Sequence, residues 1–400
     1  MRDELKPALD FILPQLVELR HELHTHPEIR FEEHWTADRI ARFLDDLGAP
    51  YTRGHAGGTG IVVTLEGPQG GPTVLLRADM DALEIHEQTG LPYASTIPER
   101  MHACGHDGHS ACLCGAIHAL MEHRDRLHGT VKCVFQPAEE LAAGGRLIVE
   151  EGVLDGVDAA FALHGWPSLP LGRIALRSGW MMASANCFRI TVRGKGCHGA
   201  APHDGVDPIL VAAHITTALQ AIVSRELDPC EAGVVTIGSI QGGCSTNVIP
   251  DTAVMEGTLR SIEPARFDAI AQAIERVASN TAKAFRAEAE TVLKDTRYPS
   301  LYNDPEATRF ARETAERLLG EGRVMTLPRP VMAAEDFAFY LQKAPGAFVY
   351  LGVNPHPDRE YPGLHTPYFD FNDEALPTGA ALLASLALDY SARFASAESG

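Results

Sequence analysis

Thr130-Val131-Lys132-Cys133-Val134-Phe135-Gln136-Pro137-Ala138-Glu139-Glu140 is the stretch on which the fold is read. Thr130 to Gln136 is a strand run, and it ends in a turn carrying two adjacent carboxylates. Upstream, Thr73 to Arg77 is a second strand run and feeds Asp79 and Asp81 at its end. Between them lies Met101-His102-Ala103-Cys104-Gly105-His106-Asp107-Gly108-His109, with a helix expected over Ser110 to Leu127. Downstream, Leu147 to Glu151 reads as helix, and Ala159 to Leu163 as a strand delivering His164-Gly165-Trp166-Pro167. Strand, polar terminus, helix and strand alternate, which indicates an α/β architecture with a mainly parallel sheet. In such sheets, side chains at strand ends are well placed for chemistry.

Working outward, Ala8 to His24 repeats Leu9, Ile12, Leu13, Leu16, Leu19 and Leu23 at helical spacing. Glu33 to Leu47 is a second helix, closed by Gly48. Near Ala183 the pattern changes. Strands over Cys187 to Val192, Gly233 to Ile240, Thr252 to Arg260 and Ala287 to Lys294 alternate with helices over Pro208 to Ser224 and Pro264 to Arg286. That is the split βαβ order of a ferredoxin-like α+β module. The expected organisation is a first part of one domain over 1–182, an inserted domain over 183–295, and the second part of the first domain over 296–400. There, helix and strand runs resume over Glu306 to Leu319, Phe337 to Gln342, Phe348 to Gly352 and Glu374 to Phe394.

Composition narrows the function. Of 400 residues 45% are hydrophobic, enough for a large packed interior. The net charge of −19 argues against nucleic acid or an anionic membrane as partner, because both reward basic patches. Met1 to Asp10 has no apolar core of a leader peptide, and Leu376 to Ala387 is too short to span a bilayer. Eight cysteines without paired spacing point to reduced thiols, hence to a cytoplasmic protein.

The candidate ligands gather at element ends: Cys104 and His106 in one loop, Glu139 and Glu140 after the next strand, His164 after the following one, and His365 in Leu364-His365-Thr366-Pro367. Thiolate, imidazole and carboxylate together suit zinc, manganese, cobalt or nickel better than magnesium or calcium. Five protein ligands exceed what a closed structural zinc site needs, which points to two divalent metal ions sharing a hydroxide. On extended backbone, neighbouring Glu139 and Glu140 would point opposite ways, one toward metal and one toward the bound water. A solvated acidic turn is the competing reading of that pair.

Eight stretches, in order and almost end to end, carry a family resemblance: Leu19 to Glu28, Arg77 to Leu83, Met101 to His109, Gln136 to Glu140, Gly194 to Pro208, Asn247 to Pro250, Glu335 to Phe337 and His365 to Pro367. The chain resembles the hippurate hydrolase and auxin-conjugate (IAA-amino acid) hydrolase branch of the aminoacylase/carboxypeptidase metallopeptidases. The resemblance implies a zinc-peptidase-like catalytic domain with an inserted dimerisation (lid) domain. It implies metal ligands Cys104, His106, Glu140, His164 and His365, with Glu139 as general base. Asp81 matches the acidic residue that orients a ligand imidazole, a second acceptor that fixes the ring tautomer. His198 matches a histidine that crosses a dimer interface to polarise the scissile carbonyl. Asn247 matches a substrate-binding amide, and Arg260 is a candidate for a substrate carboxylate, with an exposed strand arginine as the alternative.

The remaining polar residues have plainer readings: His102, His109 and His118 as packing, Cys112 and Cys114 as core, His203 as a local turn partner, Glu335-Asp336 as a helix cap or site pair, and Trp166 and Trp180 as pocket lining or packing. Two departures from the family pattern are Glu84, where proline is common, and Cys197, where glycine is usual. The expected protein is a metal-dependent amidohydrolase cleaving N-acyl or N-aroyl amino acids, working as a homodimer or dimer-based tetramer. A dipeptidase or carboxypeptidase with the same dinuclear centre, and a non-catalytic metal-dependent binding module, are the alternatives.

Overall fold

The computed structural model describes residues 4–356 and 358–395. The chain divides into two compact units, one of Met1–Gly179, Tyr302–Arg329 and Asp336–Gly400, the other of Trp180–Leu301 and Pro330–Glu335.

The first unit is built on an eight-stranded sheet. In spatial order its strands are Tyr51–His55, Gly60–Glu66, His128–Gln136, Gln69–Asp79, Ala159–Pro170, Gly346–Asn354, Ile174–Leu176 and Val324–Thr326. The four middle strands run parallel. Gly60–Glu66 and Ile174–Leu176 flank them antiparallel. The parallel centre is covered on both faces; every residue of Gly346–Asn354 is buried. Helices Lys6–Thr25, His106–Glu122 and Leu376–Ala395 pack together and onto this sheet. Their approach is close at Gly115, where a Cβ would lie 2.7 Å from Leu16 and 2.8 Å from Ala380.

Register decides where the chemistry falls. Asp79 pairs with Gln136, and Arg77 with Ala162, so the ends of two parallel strands lie level with His164 of the third.

Three local expectations are corrected. The helix after the Cys-Gly-His loop begins at His106, not near Ser110, and ends at Glu122. Apolar periodicity could not show this first turn, because it is polar yet wholly buried. Glu139 and Glu140 lie in a helical turn, Glu139–Ala142, and not on extended backbone. Neighbours there diverge by about 100° rather than 180°. His164 sits within a strand that continues to Pro170 rather than after it.

The second unit holds a four-stranded antiparallel sheet in the order Gly233–Gly242, Thr252–Ser261, Ser184–Arg193, Glu288–Leu293. With helices Pro208–Ala221 and Pro264–Ala284 this is the ferredoxin-like arrangement. Thr252–Ser261 alternates buried and half-exposed residues, so one sheet face packs under the helices. Asp207 caps the first of these helices, accepting from the Ile209 N–H at 2.9 Å. The segment Pro208–Glu226 is long and apolar enough to pass a compositional test for a membrane span. Val211, Ala212, Ile215 and Leu219 instead pack it on this sheet, while Ile209 and Leu210 stay exposed.

In the first unit, the turn before Glu139 is braced from a distance. Ala138 holds φ 56°, a left-handed conformation that costs a non-glycine residue energy. The fully buried Glu33 carboxylate accepts from the Ala138 N–H at 2.9 Å and from the Thr59 hydroxyl at 3.1 Å. Burial and the negative charge of Asp81 push the Glu33 pKa up to about 7. A carboxyl raised on folding favours the fold while protonated, and that advantage is lost as pH rises from the unfolded value, about 4.5, through 7. Glu33→Gln, which stays uncharged, should therefore gain on the parent across that window by up to roughly 3 kcal/mol. Urea melts of the metal-free proteins at pH 5 and pH 8 measure this, and a stability difference independent of pH would contradict it.

Candidate metal centre

Cys104, His106, Glu140, His164 and His365 converge in the first unit. Their potential ligand atoms form overlapping triads, Cys104–His106–His164 and Cys104–Glu140–His365, each within 4.8 Å of one another. A third triad joins His106 and Glu140 to Glu139. Cys104 Sγ lies 3.3 Å from His164 Nε2 and 3.4 Å from His365 Nε2, and His365 Nε2 is 3.0 Å from Glu140 Oε1.

The backbone explains the convergence. Gly105 (φ 85°) turns the loop into the helix, placing Cys104 just before it and His106 at its first position. Phe369 and Phe371 press against Gly105 and Gly108; a Cβ on Gly108 would lie 2.3 Å from the Phe371 ring. His365 takes φ 60° and donates its N–H to the Ala103 carbonyl at 2.8 Å, which joins its segment to the Cys104 loop.

Two of the three imidazoles, those of His106 and His164, have their orientation set by a neighbour. Asp81 Oδ1 is 3.1 Å from His106 Nδ1, which donates to it and leaves Nε2 facing the centre. Asp81 Oδ2 also accepts the Glu140 N–H at 2.9 Å, so one carboxylate orients two candidate ligands. His164 Nδ1 donates to the Gly165 carbonyl at 2.8 Å, leaving Nε2 toward Cys104.

Behind this layer lies a network that the sequence reading missed. His109, expected as packing, instead accepts the Gly165 N–H with Nε2 at 2.7 Å and donates from Nδ1 to Asp79 Oδ1 at 2.6 Å. Arg77 donates to Asp79 at 2.6 Å, to Asp336 at 2.7 Å and to Gln136 Oε1 at 2.9 Å, all buried. Asp336 accepts further from Gln136 and from the Gly145 N–H at 2.7 Å. The cap reading of Asp336 is thus replaced by a buried bridge to Arg77. The available signal was Arg77 and Asp79 two apart in an otherwise apolar central strand, since a buried strand charge needs a partner.

The electrostatics favour cation binding. Burial raises the Cys104 thiol well above its ordinary value, and Glu140, Glu139 and Asp79 raise it further. A nearby cation would reverse that. Burial, helped by His109, keeps His164 neutral and able to ligate. Burial opposes a charge on His106, yet Asp79, Asp81 and Glu140 overcome it and push its pKa up to about 10. The buried His106 Nε2 has no hydrogen-bond partner. A positive charge is what this cluster calls for, and its mixed S, N and O donors fit a borderline-soft divalent ion.

The other singled-out residues are placed as follows. In the second unit His198 is exposed, its Nδ1 accepting from the Ala200 N–H at 3.0 Å. Asn247 Oδ1 accepts from the Ser245 hydroxyl at 2.8 Å. Arg260 donates to the Met332 carbonyl at 3.0 Å. His203 is exposed and 3.7 Å from Asp204. In the first unit Trp166 stacks on Tyr350 at 4.0 Å, Cys112 and Cys114 are core, and His102 is buried. The exposed Glu84 pairs with Arg30 at 2.9 Å.

Residues 75–389 match the model of peptidase family M20/M25/M40. The chain is similar to an N-acetylcysteine deacetylase of Bacillus subtilis, 41% identical over 380 residues, covering 94% of this chain and 96% of that one. It is also similar to the IAA-amino acid hydrolase ILR1-like 5 of Arabidopsis thaliana, 41% identical over 379 residues, covering 94% and 86%. Among solved structures, the YXEP protein of Bacillus subtilis, described as a dinuclear metal binding peptidase from the M20 family, superposes with a TM-score of 0.81 at 38% identity, covering 95% of this chain and 98% of that one. The convergent ligand cluster and these likenesses along nearly the whole length agree: the chain belongs to peptidase family M20/M25/M40.

Proposed function

We propose that the protein is a dinuclear metal-dependent amidohydrolase that cleaves N-acyl amino acids to a carboxylate and a free amino acid. The observation that carries this reading is the triad of buried His106, buried Glu139 and partly buried Glu140, which sets an additional carboxylate beside the candidate ligands. The relatives named for N-acetylcysteine and for IAA-amino acid conjugates support an acyl-amino acid as substrate.

Cys104, His106, Glu140, His164 and His365 would hold two divalent ions, with zinc, manganese, cobalt and nickel all suited to the donor set. Bound there, the ions would supply Lewis-acid activation of water and of the amide carbonyl. Glu139 takes the proton of the attacking water and passes it to the leaving nitrogen. Its position is held by the braced Ala138 turn and by the Asp336 N–H, which donates to Glu139 at 3.4 Å. Asp81 keeps His106 and Glu140 oriented.

The second unit supplies the remaining groups in a homodimer. Its Gly233–Gly242 strand is a sheet edge with Ile240 exposed, and Ile209, Leu210 and Val223 are exposed on the adjoining helical segment. An open edge flanked by apolar side chains is suited to pairing with a second copy. In that assembly His198 of one subunit steadies the oxyanion in the site of the other, Asn247 binds substrate, and Arg260 meets the substrate carboxylate. All eight cysteines are unpaired, which supports a reducing, cytoplasmic setting.

Three outcomes are expected. Glu139→Gln should lower kcat on acetyl-, benzoyl- or indole-acetyl-amino acids by about 10²–10⁴-fold while metal analysis still finds two ions per chain; parental turnover would sink the mechanism. Chelation should abolish activity and a borderline divalent ion restore it, whereas a protein fully active without metal, or one that cleaves only free dipeptides, calls for another reading. Mixing inactive Glu139→Gln chains with inactive His198→Ala chains should recover activity as subunits exchange. No recovery despite exchange, seen by mass spectrometry of the mixed dimer, would remove His198 from the partner's site.

A further inference from the structure

The proposed chemistry leaves one buried polar cluster of the first unit unused. The stretch Leu19 to Glu28 brings Arg20 and His24 onto the inner side of helix Lys6–Thr25, and both are fully buried. Arg20 Nη1 lies 2.9 Å from Asp370 Oδ1 and 3.3 Å from Asp107 Oδ2, and its Nε is 2.5 Å from Asp373 Oδ1. Its guanidinium sits 4.6 Å over the Tyr93 ring, whose hydroxyl donates to Asp370 Oδ2 at 2.9 Å. His24 adds a contact from Nδ1 to Asp107 Oδ2 at 2.9 Å.

These carboxylates belong to two different pieces of chain. Asp107 adjoins His106 in the first turn of its helix. Asp370 and Asp373 follow His365; among the described residues, no helix or strand lies between Asn354 and Asp373, where a short 3-10 turn begins. No ladder or helical repeat therefore fixes His365. Its segment is located by tethers, among them the His365 N–H on Ala103, the Gln88 N–H on the Pro367 carbonyl, the Phe369 and Phe371 rings on Gly105 and Gly108, and the two aspartates on Arg20. The Arg20 tether is an ion pair whose guanidinium is out of solvent, while the Asp370 and Asp373 side chains are partly exposed. At a buried guanidinium, an ion pair with good geometry is strong and its loss is costly. Only a planar fork of donors serves three carboxylates from two segments at once; a lysine ammonium is a single point.

We infer that Arg20 is a positioning residue of the metal centre. By holding Asp370 and Asp373 against Asp107, it registers the His365 segment on the Cys104–His106 loop. It thereby governs the affinity of the metal position that His365 shares with Glu140. This rests on the metallohydrolase reading above, because it assigns His365 to a metal.

The test is a chelator-competition titration with Zn²⁺ or Co²⁺ on purified, folded protein. Arg20→Ala leaves buried carboxylates without a cation and is expected to misfold, so Arg20→Lys and the milder Asp370→Asn are used. Phe310→Leu, a core change in helix Pro305–Leu319, serves as a control for simple loss of stability. The parent should bind two ions. Arg20→Lys and Asp370→Asn should keep one ion at parental affinity and bind the other about 10–100-fold more weakly, the range typical of lost support behind a ligand. In their Co²⁺ forms the thiolate-to-cobalt absorption of Cys104 should persist. The control should bind both ions as the parent does, even with its melting temperature lowered as much. Parental affinity for both ions in both variants overturns the inference and leaves the metallohydrolase reading standing. Equal weakening of both ions in the control likewise overturns it, since stability alone would then account for the effect. A parent that binds no metal overturns both.

Discussion

Charges buried at the ends of parallel strands must be neutralised where they stand, and the first unit is arranged around that requirement. Asp79 closes the central strand Gln69–Asp79 in full burial. Burial alone would raise its pKa, but His106, Arg77 and His109 hold it well below the ordinary carboxylate range. Arg77, two residues earlier on the same strand, carries the compensation onward to Asp336. Asp336 in turn holds Gln136 and the Gly145 N–H. Removing one partner of such a buried set leaves an unpaired charge at a cost of about 3–5 kcal/mol, so these contacts fix the strand ends relative to the loops that follow them.

The candidate ligands inherit their positions from this frame. His109 transmits the placement of Asp79 to Gly165, whose carbonyl receives His164 Nδ1. Asp81 does the same for His106 and Glu140. The Asp81 carboxylate for His106 and the Gly165 carbonyl for His164 decide which ring nitrogen is left facing the centre. His365 is the exception, because it arrives on irregular chain. Its location depends on backbone contact with Ala103, on aromatic rings fitted over two glycines, and on the Arg20 ion pairs.

The architecture was legible because burial has a period. Helices Lys6–Thr25 and His34–Leu47, the parallel strands, and the strand–helix order of the second unit follow from apolar spacing and from Gly48 as a stop. The candidate ligand set was legible from residue types at element ends together with ordered family motifs. The buried first turn from His106, the helical turn at Glu139, and the reach of the Ala159–Pro170 strand past His164 were not, because polar residues in buried elements leave no apolar periodicity to read.

The sequence by itself determined the α/β class, the family-like motifs and which residues are candidates for binding a metal or moving a proton. Only the tertiary structure decided that Asp79, His109, Arg77 and Asp336 form one buried chain behind them. The same holds for Glu33 under the Ala138 turn and for Arg20 joining Asp107 to Asp370 and Asp373. Apart from Arg77 and Asp79, two apart on one strand, each of these is a pairing between residues far apart in the chain. A local pattern records how strongly a residue prefers burial or a backbone shape, but not which distant charge will meet it when the interior closes.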